Sequence, residues 1–476
     1  MPVYIPQRAL IKSVIRERIL RYMKKTVAFL SLGCKVNSYE TEAMRTMFET
    51  AGYTVADFKD IADVYVVNTC TVTNIADRKS RQMLHQAKNR NPQAIIAAVG
   101  CYVQAAEEVL LADSAVDLVI GNNKKSDIVA MVERCMDSSN KEELVVDIND
   151  ERDYEELHVI TTMDKTRAFI KIQDGCNRFC SYCIIPYVRG RVRSRKEEDI
   201  LQEISELVKK GYQEFVLTGI HISSYGTDLL KSRNAEGDQK EPELEEGITP
   251  LAGLIVKIGE IQGIERIRLG SLEPRIITKE FLDAVVGVKQ FCPHFHLSLQ
   301  SGSDAVLKRM NRKYSAAEYY DRVGLIRQYF ELPSFTTDVI VGFPGETEEE
   351  FQQTLDFVKS IGFARIHVFK YSKRAGTKAA EMQDQIPENI KNQRSDRLIV
   401  LSNSMAEEYH VRFLGRIEKI LFEETIEVGG VKYQIGHNER YLKLALPEEM
   451  ELSNQLLEGR VTGLLNEEIL LCEKTQ

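Results

Sequence analysis

The sequence predicts a mixed α/β protein with three parts: a doubly wound parallel α/β domain, a partial barrel of six β/α units and a small carboxyl-terminal β-barrel. Two observations predict this class. Short apolar runs alternate with helical stretches over most of the chain, and closely spaced short strands with turn residues replace that alternation near the end. The 476 residues also exceed the size of one ordinary hydrophobic core.

The first part is predicted to span residues 24–140. Alternating strands and helices of this kind build a parallel sheet with helices on both faces. Residues 1–22 lack the apolar core of a signal peptide. They could form a short amphipathic helix, or translation could begin at Met23, which we favour. The four apolar runs are Val27–Leu30, Val64–Val67, Ile95–Val99 and Leu118–Ile120.

The second part is predicted to span residues 162–392, after an acidic stretch, Asn149 to Glu156, that is typical of a linker. In a β/α barrel the active site lies at the carboxyl ends of the strands. The polar segment Lys231 to Gly247 interrupts the pattern and is interpreted as a surface insertion. The six candidate strands are Ala168–Ile172, Phe215–Leu217, Arg266–Leu269, His294–Leu299, Thr337–Val341 and Arg365–Phe369.

The third part is predicted to span residues 395–475, beginning with a helix near Arg394 to Tyr409. Its short strands, separated by turn residues, indicate a small β-barrel. The four candidate strands are Glu418–Glu423, Val431–Ile435, Tyr441–Leu446 and Gly459–Leu471.

Composition excludes several classes of protein. No run of ~18 apolar residues is present, so no membrane span is expected. Nine cysteines in a long chain without an export signal argue against a disulfide framework and for a cytoplasmic protein whose thiols pack or bind metal. The net charge of −8 means that any nucleic-acid site must be a local basic patch.

The strongest motif is a loop with Cys176, Cys180 and Cys183, directly after the first barrel strand. Thiolates are the usual ligands of iron–sulfur clusters, and three of them leave one iron of a four-iron cluster open. A structural zinc site normally has four ligands, and no fourth Cys or His is close in sequence. Three packing cysteines at this spacing are improbable. The loop therefore predicts a four-iron cluster.

The C-x3-C-x2-C loop at the first strand of a six-unit barrel resembles the radical S-adenosylmethionine (SAM) superfamily. That resemblance implies that the open iron binds SAM and that an electron from the cluster splits SAM to a 5′-deoxyadenosyl radical. It makes the three cysteines the catalytic centre. Segments such as Leu217-Thr218-Gly219 and Leu297–Gly302 look like the family's SAM-binding strand ends. The implied SAM contacts are Tyr182, Gly219, Glu273, Ser298 and Gln300.

A second set of cysteines, Cys34, Cys70 and Cys101, follows three apolar strands of the first part. Their strand ends could gather at one sheet edge, although three ordinary buried cysteines fit the spacing equally well. The motifs around them, among them Gly33-Cys34-Lys35-Val36-Asn37 and Asn68-Thr69-Cys70-Thr71, resemble the methylthiotransferases. In that family the three cysteines hold a second [4Fe–4S] cluster, which carries the sulfur. Cys135, Cys292 and Cys472 match no motif and are interpreted as packing residues.

Within this family, the Lys35-Val36-Asn37 sequence and Tyr371–Ala380 are similar to the bacterial branch that acts on threonylcarbamoyladenosine (the MtaB type). The resemblance implies a transferase that uses two SAM molecules to methylthiolate C2 of that adenosine at tRNA position 37. The alternatives are isopentenyladenosine in tRNA or an aspartate of a ribosomal protein. A TRAM-bearing RNA-binding protein with structural zinc is the alternative from another class.

The expected partners are the tRNA anticodon stem-loop and an electron donor such as flavodoxin or ferredoxin, with the protein a monomer. The carboxyl-terminal barrel looks like the TRAM module, an RNA-binding fold of the OB type. Tyr433 and Tyr441 could stack on bases or belong to the barrel core, and none of the eight histidines is singled out as a general base. A basic group beside the cysteine loop is predicted to bind RNA phosphates. Its members are Arg189, Arg191, Arg193 and Arg195.

Overall fold

The computed structural model of the protein describes residues 25–138, 140–160, 166–231 and 248–475. These residues form two compact units, one made of residues 25–71 and 75–146 and the other of residues 72–74 and 147–475. Residues 1–22 and positions 232–247 of the acidic insertion lie outside the described residues. In the part that is described, no helix is long and apolar enough to cross a membrane.

The first unit contains a parallel sheet of six strands. The strands are β1 (Thr26–Ser31), β2 (Thr54–Ala56), β3 (Val64–Thr69), β4 (Ile95–Gly100), β5 (Leu118–Ile120) and β6 (Glu142–Leu144). Their order is β2-β1-β3-β4-β5-β6, with every neighbouring pair parallel. The four predicted runs are confirmed as strands. The hydrophobic pattern did not predict β2 and β6, which are edge strands of three residues, too short to show a hydrophobic period.

Helices connect these strands, and alternate residues of each strand face opposite sides. Val64 and Val66 contribute to one hydrophobic cluster, whereas Tyr65 and Val67 contribute to another on the other face. The predicted doubly wound architecture is therefore confirmed. The helices are α1 (Lys35–Thr50), α2 (Asn74–Arg90), α3 (Cys101–Ala105), α4 (Glu107–Leu111) and α5 (Ile128–Ser138).

The second unit begins with a segment, residues 147–160, that has no helix or strand, as expected of a linker. It nevertheless packs firmly against the strand that follows it. Leu157 is fully buried, and the Tyr154 hydroxyl donates a 3.0 Å hydrogen bond to the carbonyl of Lys171. The acidic stretch therefore belongs to a segment that packs against the rest of the second unit.

The centre of the second unit is the predicted partial barrel, and all six predicted strands are confirmed. Four strands lie in the order β10-β9-β7-β8, with β8 antiparallel to β7, and three more in the order β11-β12-β13. Parallel bridges, Ile267 to Phe291 and Leu272 to Leu297, join the two sheets. The strands are β7 (Arg167–Asp174), β8 (Arg193–Ser194), β9 (Glu214–Gly219), β10 (Arg266–Leu269), β11 (His294–His296), β12 (Ser334–Val341) and β13 (Arg365–Lys370).

The two faces of these strands differ in chemistry. Outward residues such as Ile170, Leu217 and Val339 join one large apolar cluster beneath the helices. The alternate residues face the lumen and are mostly polar, among them Arg268 and Asp338. The barrel therefore encloses a polar interior. The helices are α6 (Ile185–Val188), α7 (Glu197–Lys209), α8 (Thr227–Lys231), α9 (Pro250–Gly259), α10 (Lys279–Val286), α11 (Asp304–Arg309), α12 (Ala316–Tyr329), α13 (Glu348–Ile361), α14 (Lys378–Glu381) and α15 (Glu388–Val411).

A closed five-stranded barrel follows α15. Its strands are β14 (Ile417–Val428), β15 (Val431–His437), β16 (Lys443–Pro447), β17 (Leu456–Leu464) and β18 (Ile469–Lys474), in the order β14-β15-β16-β18-β17. The β16–β18 pair is parallel and the other pairs are antiparallel. The predicted β-barrel is confirmed, but the expected single strand Gly459–Leu471 is wrong. It is two strands, because the chain turns at residues 465–468.

This small barrel covers the amino-terminal ends of the β/α barrel strands, the end opposite the cysteine loop. Tyr441 stacks on His437 and His294, at ring-centroid distances of 4.6 and 5.2 Å. The Arg268 guanidinium lies 4.8 Å from the same ring, and Arg167 Nη1 donates to the Tyr441 hydroxyl at 2.9 Å. Tyr441 therefore ties the two barrels together and is not exposed for stacking on RNA.

Glu214, at the start of β9, supplies the negative charge at this junction. It accepts a hydrogen bond from Arg268 Nε at 2.8 Å and lies 3.5 Å from Arg266 Nη1, with all three side chains buried. Burial by itself would raise the pKa of Glu214, but the charges of Arg268 and Arg266 lower it to about 2. The carboxylate stays ionised at neutral pH and compensates two buried guanidinium groups.

Glu214→Gln is expected to lower the stability of the second unit by about 3–5 kcal/mol, because it leaves two buried arginines uncompensated. The measurement is urea unfolding followed by circular dichroism, since the chain has no tryptophan. Asp283→Asn removes the exposed Lys279–Asp283 pair and should leave the stability nearly unchanged. Equal costs for the two variants would contradict this prediction.

The contribution of Glu214 to the stability of the second unit depends on pH. The pKa of Glu214 is lowered from 4.5 to about 2, so its stabilising contribution is complete above about pH 4.5 and is lost as the pH falls toward 2.

Candidate functional site

The cysteine loop, residues 175–183, follows β7 and is held in place by backbone contacts. Gly175 has a φ of +72°, and a Cβ there would lie 1.8 Å from the carbonyl oxygen of Arg191, so only glycine fits. The Cys176 amide donates to the carbonyl of Gly190 at 3.0 Å. The Ser181 amide donates to the carbonyl of Met310, also at 3.0 Å. The loop is therefore fixed from both sides.

Each of the three cysteines of this loop is half-buried and free of disulfides. The backbone amide of Arg178 donates to Cys176 Sγ at 3.5 Å, and Arg312 Nη1 donates to Cys180 Sγ at 3.3 Å. Burial raises the pKa of Cys176 to about 11 and also raises that of Cys183. Neutral thiols release protons when they bind a metal. Three thiols with N–H donors at two of their sulfurs fit a four-iron cluster with one open iron.

Arg312 connects the cysteine loop to the end of β11, a connection that no sequence motif revealed. Its Nε donates to the Tyr314 hydroxyl at 3.0 Å, and that hydroxyl donates to the carbonyl of Leu299 at 2.9 Å. Arg312 thus places a positive charge beside Cys180. Through Tyr314 it also links the cysteine loop to the segment that follows β11.

Arg312→Gln is expected to shift the reduction potential of the cluster at this loop to more negative values, because it removes a positive charge beside a sulfur ligand. The measurement is a redox titration of the reconstituted protein followed by electron paramagnetic resonance. Lys313→Gln, at an exposed neighbouring position, is the matched control and should leave the potential unchanged. A potential in Arg312→Gln equal to that of the control would contradict the prediction.

The residues expected to contact SAM lie in the cysteine loop or at the carboxyl ends of the strands. Gly219 ends β9, Glu273 follows β10, and Ser298 and Gln300 follow β11. Tyr182 lies in the loop and packs beside Phe343 and Tyr371. The structure thus brings all five to the same end of the barrel.

Glu273 also interacts strongly with protein groups. Its Oε2 lies 2.6 Å from Arg178 Nε and 2.9 Å from His221 Nε2. Burial would raise the pKa of Glu273, but the hydrogen bond and charge of His221 and the charge of Arg178 lower it to about 2. His221 was not singled out from the sequence, although it lies only two residues after Gly219.

The predicted basic patch beside the loop is largely wrong. Arg189, Arg193 and Arg195 are at most 1% exposed. Arg189 pairs with Asp174 at 3.0 Å, and Arg195 pairs with Glu203 at 2.6 Å. Acidic side chains of β7 and α7 therefore neutralise Arg189 and Arg195 inside the protein. Only Arg191 of the four is exposed, with its guanidinium 4.6 Å from the Phe179 ring.

In the first unit, Cys34, Cys70 and Cys101 follow β1, β3 and β4, three neighbouring strands. They lie at the carboxyl edge, beside the point between β1 and β3 where the strand order reverses, which is where such sheets bind ligands. A Cβ on Gly33 would lie 2.7 Å from Cys70 Sγ, so the absence of a side chain lets the Cys34 loop approach Cys70. Cys34 is exposed and the other two are buried.

Asparagine side chains shape this edge. Asn37 Nδ2 donates to the carbonyls of Leu32 at 2.7 Å and Thr69 at 2.9 Å, which ties the first loop to the end of β3. Asn122 Nδ2 lies 3.7 Å from Cys101 Sγ. The three cysteines could therefore hold a second metal cluster at one prebuilt edge.

Comparison with known proteins agrees with this architecture. Residues 170–358 match the model of the radical SAM superfamily, and residues 26–121 match an uncharacterized protein family, UPF0004. A radical SAM methyltransferase, TsrM from Kitasatospora setae, has a similar fold, with a TM-score of 0.53 over 75% of this chain and 77% of its own at 13% identity. The fold and the cysteine loop thus define a radical SAM protein.

Curated relatives are similar over nearly the whole chain. The threonylcarbamoyladenosine tRNA methylthiotransferase MtaB of Bacillus subtilis is 40% identical over 92% of this chain and 93% of its own. The protein of the same name from Aquifex aeolicus is 40% identical over 84% of this chain and 93% of its own. A tRNA-2-methylthio-N(6)-dimethylallyladenosine synthase from Acetivibrio thermocellus is 36% identical over 86% and 82%. The chain belongs to the radical SAM tRNA methylthiotransferase family.

Membership defines the chemistry in outline. The protein is a transferase that works with SAM and two [4Fe–4S] clusters. The two cysteine triplets, one in each unit, match that number of clusters.

Proposed function

We propose that this protein methylthiolates C2 of N6-threonylcarbamoyladenosine at position 37 of tRNA. The observation that carries the proposal is the 40% identity to the Bacillus subtilis enzyme of that name, over more than nine-tenths of both chains. The dimethylallyladenosine synthases are 36–38% identical over 82–86% of this chain. Isopentenyladenosine in tRNA and an aspartate of a ribosomal protein are the alternative substrates.

Cys176, Cys180 and Cys183 are the proposed ligands of the radical SAM cluster, and Cys34, Cys70 and Cys101 those of the auxiliary cluster. The clusters and SAM supply the radical and the sulfur, which suits an aromatic C–H bond too strong for acid–base chemistry. The chain's own part is to hold the thiols at fixed sheet edges and to place the Arg178 amide at Cys176 Sγ and the Arg312 guanidinium at Cys180 Sγ.

The proposed SAM contacts are Tyr182, Gly219, Glu273, Ser298 and Gln300, because they lie in the cysteine loop or at the carboxyl ends of the strands, at one end of the barrel. Glu273, which remains ionised, orients Arg178 of the loop and His221. The buried, hydrogen-bonded setting of these groups reduces their freedom to rearrange when SAM binds.

The proposed domains are residues 24–140 for the auxiliary cluster, 162–392 for the radical SAM core and 395–475 for a TRAM RNA-binding barrel. Arg191 is the proposed phosphate contact near the loop, since it is exposed. Three further exposed cations, Arg412, Arg416 and Lys432, are proposed as separate RNA contacts on the small barrel and the segment that leads into it. The anticodon stem-loop is the proposed RNA ligand, a flavodoxin or ferredoxin the electron donor, and a cytoplasmic monomer the working form.

The test is mass spectrometry of tRNA nucleosides from a strain that lacks the gene, with and without complementation. The expected result is loss of 2-methylthio-N6-threonylcarbamoyladenosine and its return on complementation. Purified enzyme with SAM, a reductant and each candidate substrate provides the second measurement. The proposal fails if only the isopentenyl tRNA or the ribosomal protein gains the methylthio group. Stoichiometric zinc in place of iron and sulfide would instead support a structural role for the cysteines.

A further inference from the structure

Three side chains face the barrel lumen together: His296 of β11, Asp338 of β12 and His367 of β13. We refer to them as the lumen triad. Their strands are neighbours, and Asp338 is the direct register partner of His367. One donor atom from each residue lies within 4.8 Å of the donor atoms of the other two. Two imidazoles and one carboxylate at this spacing are a common ligand set for divalent transition metals.

The distances inside the lumen triad suit an ion better than a hydrogen bond. His296 Nε2 lies 3.4 Å from Asp338 Oδ2, beyond the usual N–H···O range. Two ligands on a tetrahedral ion with bonds of about 2.1 Å are separated by about 3.4 Å. The rings of His296 and His367 have centroids 5.9 Å apart, so both imidazoles approach the same space.

The His296 ring is held as metal-binding imidazoles usually are. Its Nδ1 lies 3.0 Å from Thr336 Oγ1, and that hydroxyl also lies 3.1 Å from His294 Nε2. A partner on one ring nitrogen fixes the orientation of the ring and directs the other nitrogen toward an ion. Nε2 of His296 is the atom that faces Asp338.

The lumen triad is accessible to an incoming group. The side chain of His296 is 13% exposed and that of Asp338 is 30% exposed, while His367 is exposed. Three protein ligands leave coordination positions open, which is the arrangement of sites that bind a substrate. His296 is the last residue of β11 and precedes Ser298, a proposed SAM contact, by two residues.

We infer that the lumen triad binds one divalent transition-metal ion, whose open positions take the carboxylate of an anionic substrate group. This inference rests on the proposed function, because the threonylcarbamoyl group ends in a carboxylate with a neighbouring hydroxyl. The carboxylate and the hydroxyl are both suitable metal ligands. An isopentenyl group offers no oxygen, so the ion would favour the first substrate over the second.

The first test measures zinc on the holoenzyme, so that both cysteine triplets are already occupied by iron. Reconstituted protein is titrated with Zn²⁺ against a chelator of known affinity, and bound zinc and iron are measured by mass spectrometry. The wild type is expected to bind one zinc per chain with its iron unchanged. His296→Ala, Asp338→Asn and His367→Ala are each expected to weaken zinc binding by about 100-fold or more.

The matched control is His85→Ala, which removes the histidine of a surface His85–Asp113 pair in the first unit and should bind zinc like the wild type. Unchanged iron content and circular dichroism show that a variant is folded, and His296→Gln provides a second, milder change. The inference is overturned if the wild type binds no zinc, or if the lumen-triad variants bind it as tightly as His85→Ala does.

The second test measures binding of anticodon stem-loops with and without Zn²⁺. Zinc is expected to tighten binding of the threonylcarbamoyl RNA at least about tenfold, and to leave the isopentenyl RNA and the His367→Ala protein unaffected. No discrimination between the RNAs by zinc-loaded protein overturns the inference that the ion binds the substrate. If the enzyme instead methylthiolates only isopentenyl RNA, the proposed function fails, while the zinc titration still decides the metal site.

Discussion

Cys180→Ala is expected to lose about half of the iron of the reconstituted protein and all formation of 5′-deoxyadenosine and methylthiolated RNA. Cys180 lies in the middle of the proposed ligand set, and Arg312 donates to its sulfur. Two remaining thiols cannot hold a four-iron cluster with a single open iron. The measurements are iron and sulfide analysis, and chromatography of the SAM products after reduction.

The matched control for this variant is Cys292→Ala, which removes a thiol of the same unit. Cys292 is buried, and burial raises its pKa to about 11, as expected of a packing cysteine. This control should keep its iron and its SAM cleavage. Full iron content and normal 5′-deoxyadenosine formation in Cys180→Ala would show that the loop is not the radical SAM site.

Cys70→Ala is expected to lose the other half of the iron and all methylthiolated product, yet to retain reductive cleavage of SAM. The reason is that Cys70 belongs to the first compact unit, at a sheet edge with Cys34 and Cys101, whereas the SAM site is built from the second unit. Product analysis of RNA and of SAM in the same reaction separates the two functions.

Cys135→Ala is the control for Cys70→Ala, because Cys135 is a buried thiol of the same unit, on α5, away from the sheet edge. It should retain both activities. If Cys70→Ala still formed methylthiolated RNA, Cys70 would not be a ligand of the sulfur-carrying cluster. If it lost SAM cleavage as well, the independence of the two sites would be wrong.

The sequence by itself determined the features that depend on local spacing. Short apolar runs predicted β1, β3, β4 and β5 and all six parallel strands of the central barrel. The reason is that the residues of a buried strand are consecutive in the sequence. The C-x3-C-x2-C spacing predicted a metal loop at the end of β7, because all of its thiols come from one short segment. The family motifs predicted the class of enzyme, which the comparisons confirm.

Only the tertiary structure decided what depends on contacts between distant segments. In the sequence, Arg189 and Arg195 look like members of a surface patch, but both side chains are buried in the fold and pair with Asp174 and Glu203. From the sequence, Tyr441 could equally stack on RNA or belong to the barrel core. In the structure it packs between His437 and His294, where the small barrel contacts the β/α barrel.

The lumen triad is the clearest case of this kind, since strands β11, β12 and β13 bring together residues from positions 296 to 367 through their register. Local patterns report which face of a strand is buried. The register and closure of the sheet decide which distant residues pair with a polar side chain or share a site with it. A single stretch of sequence does not contain that information.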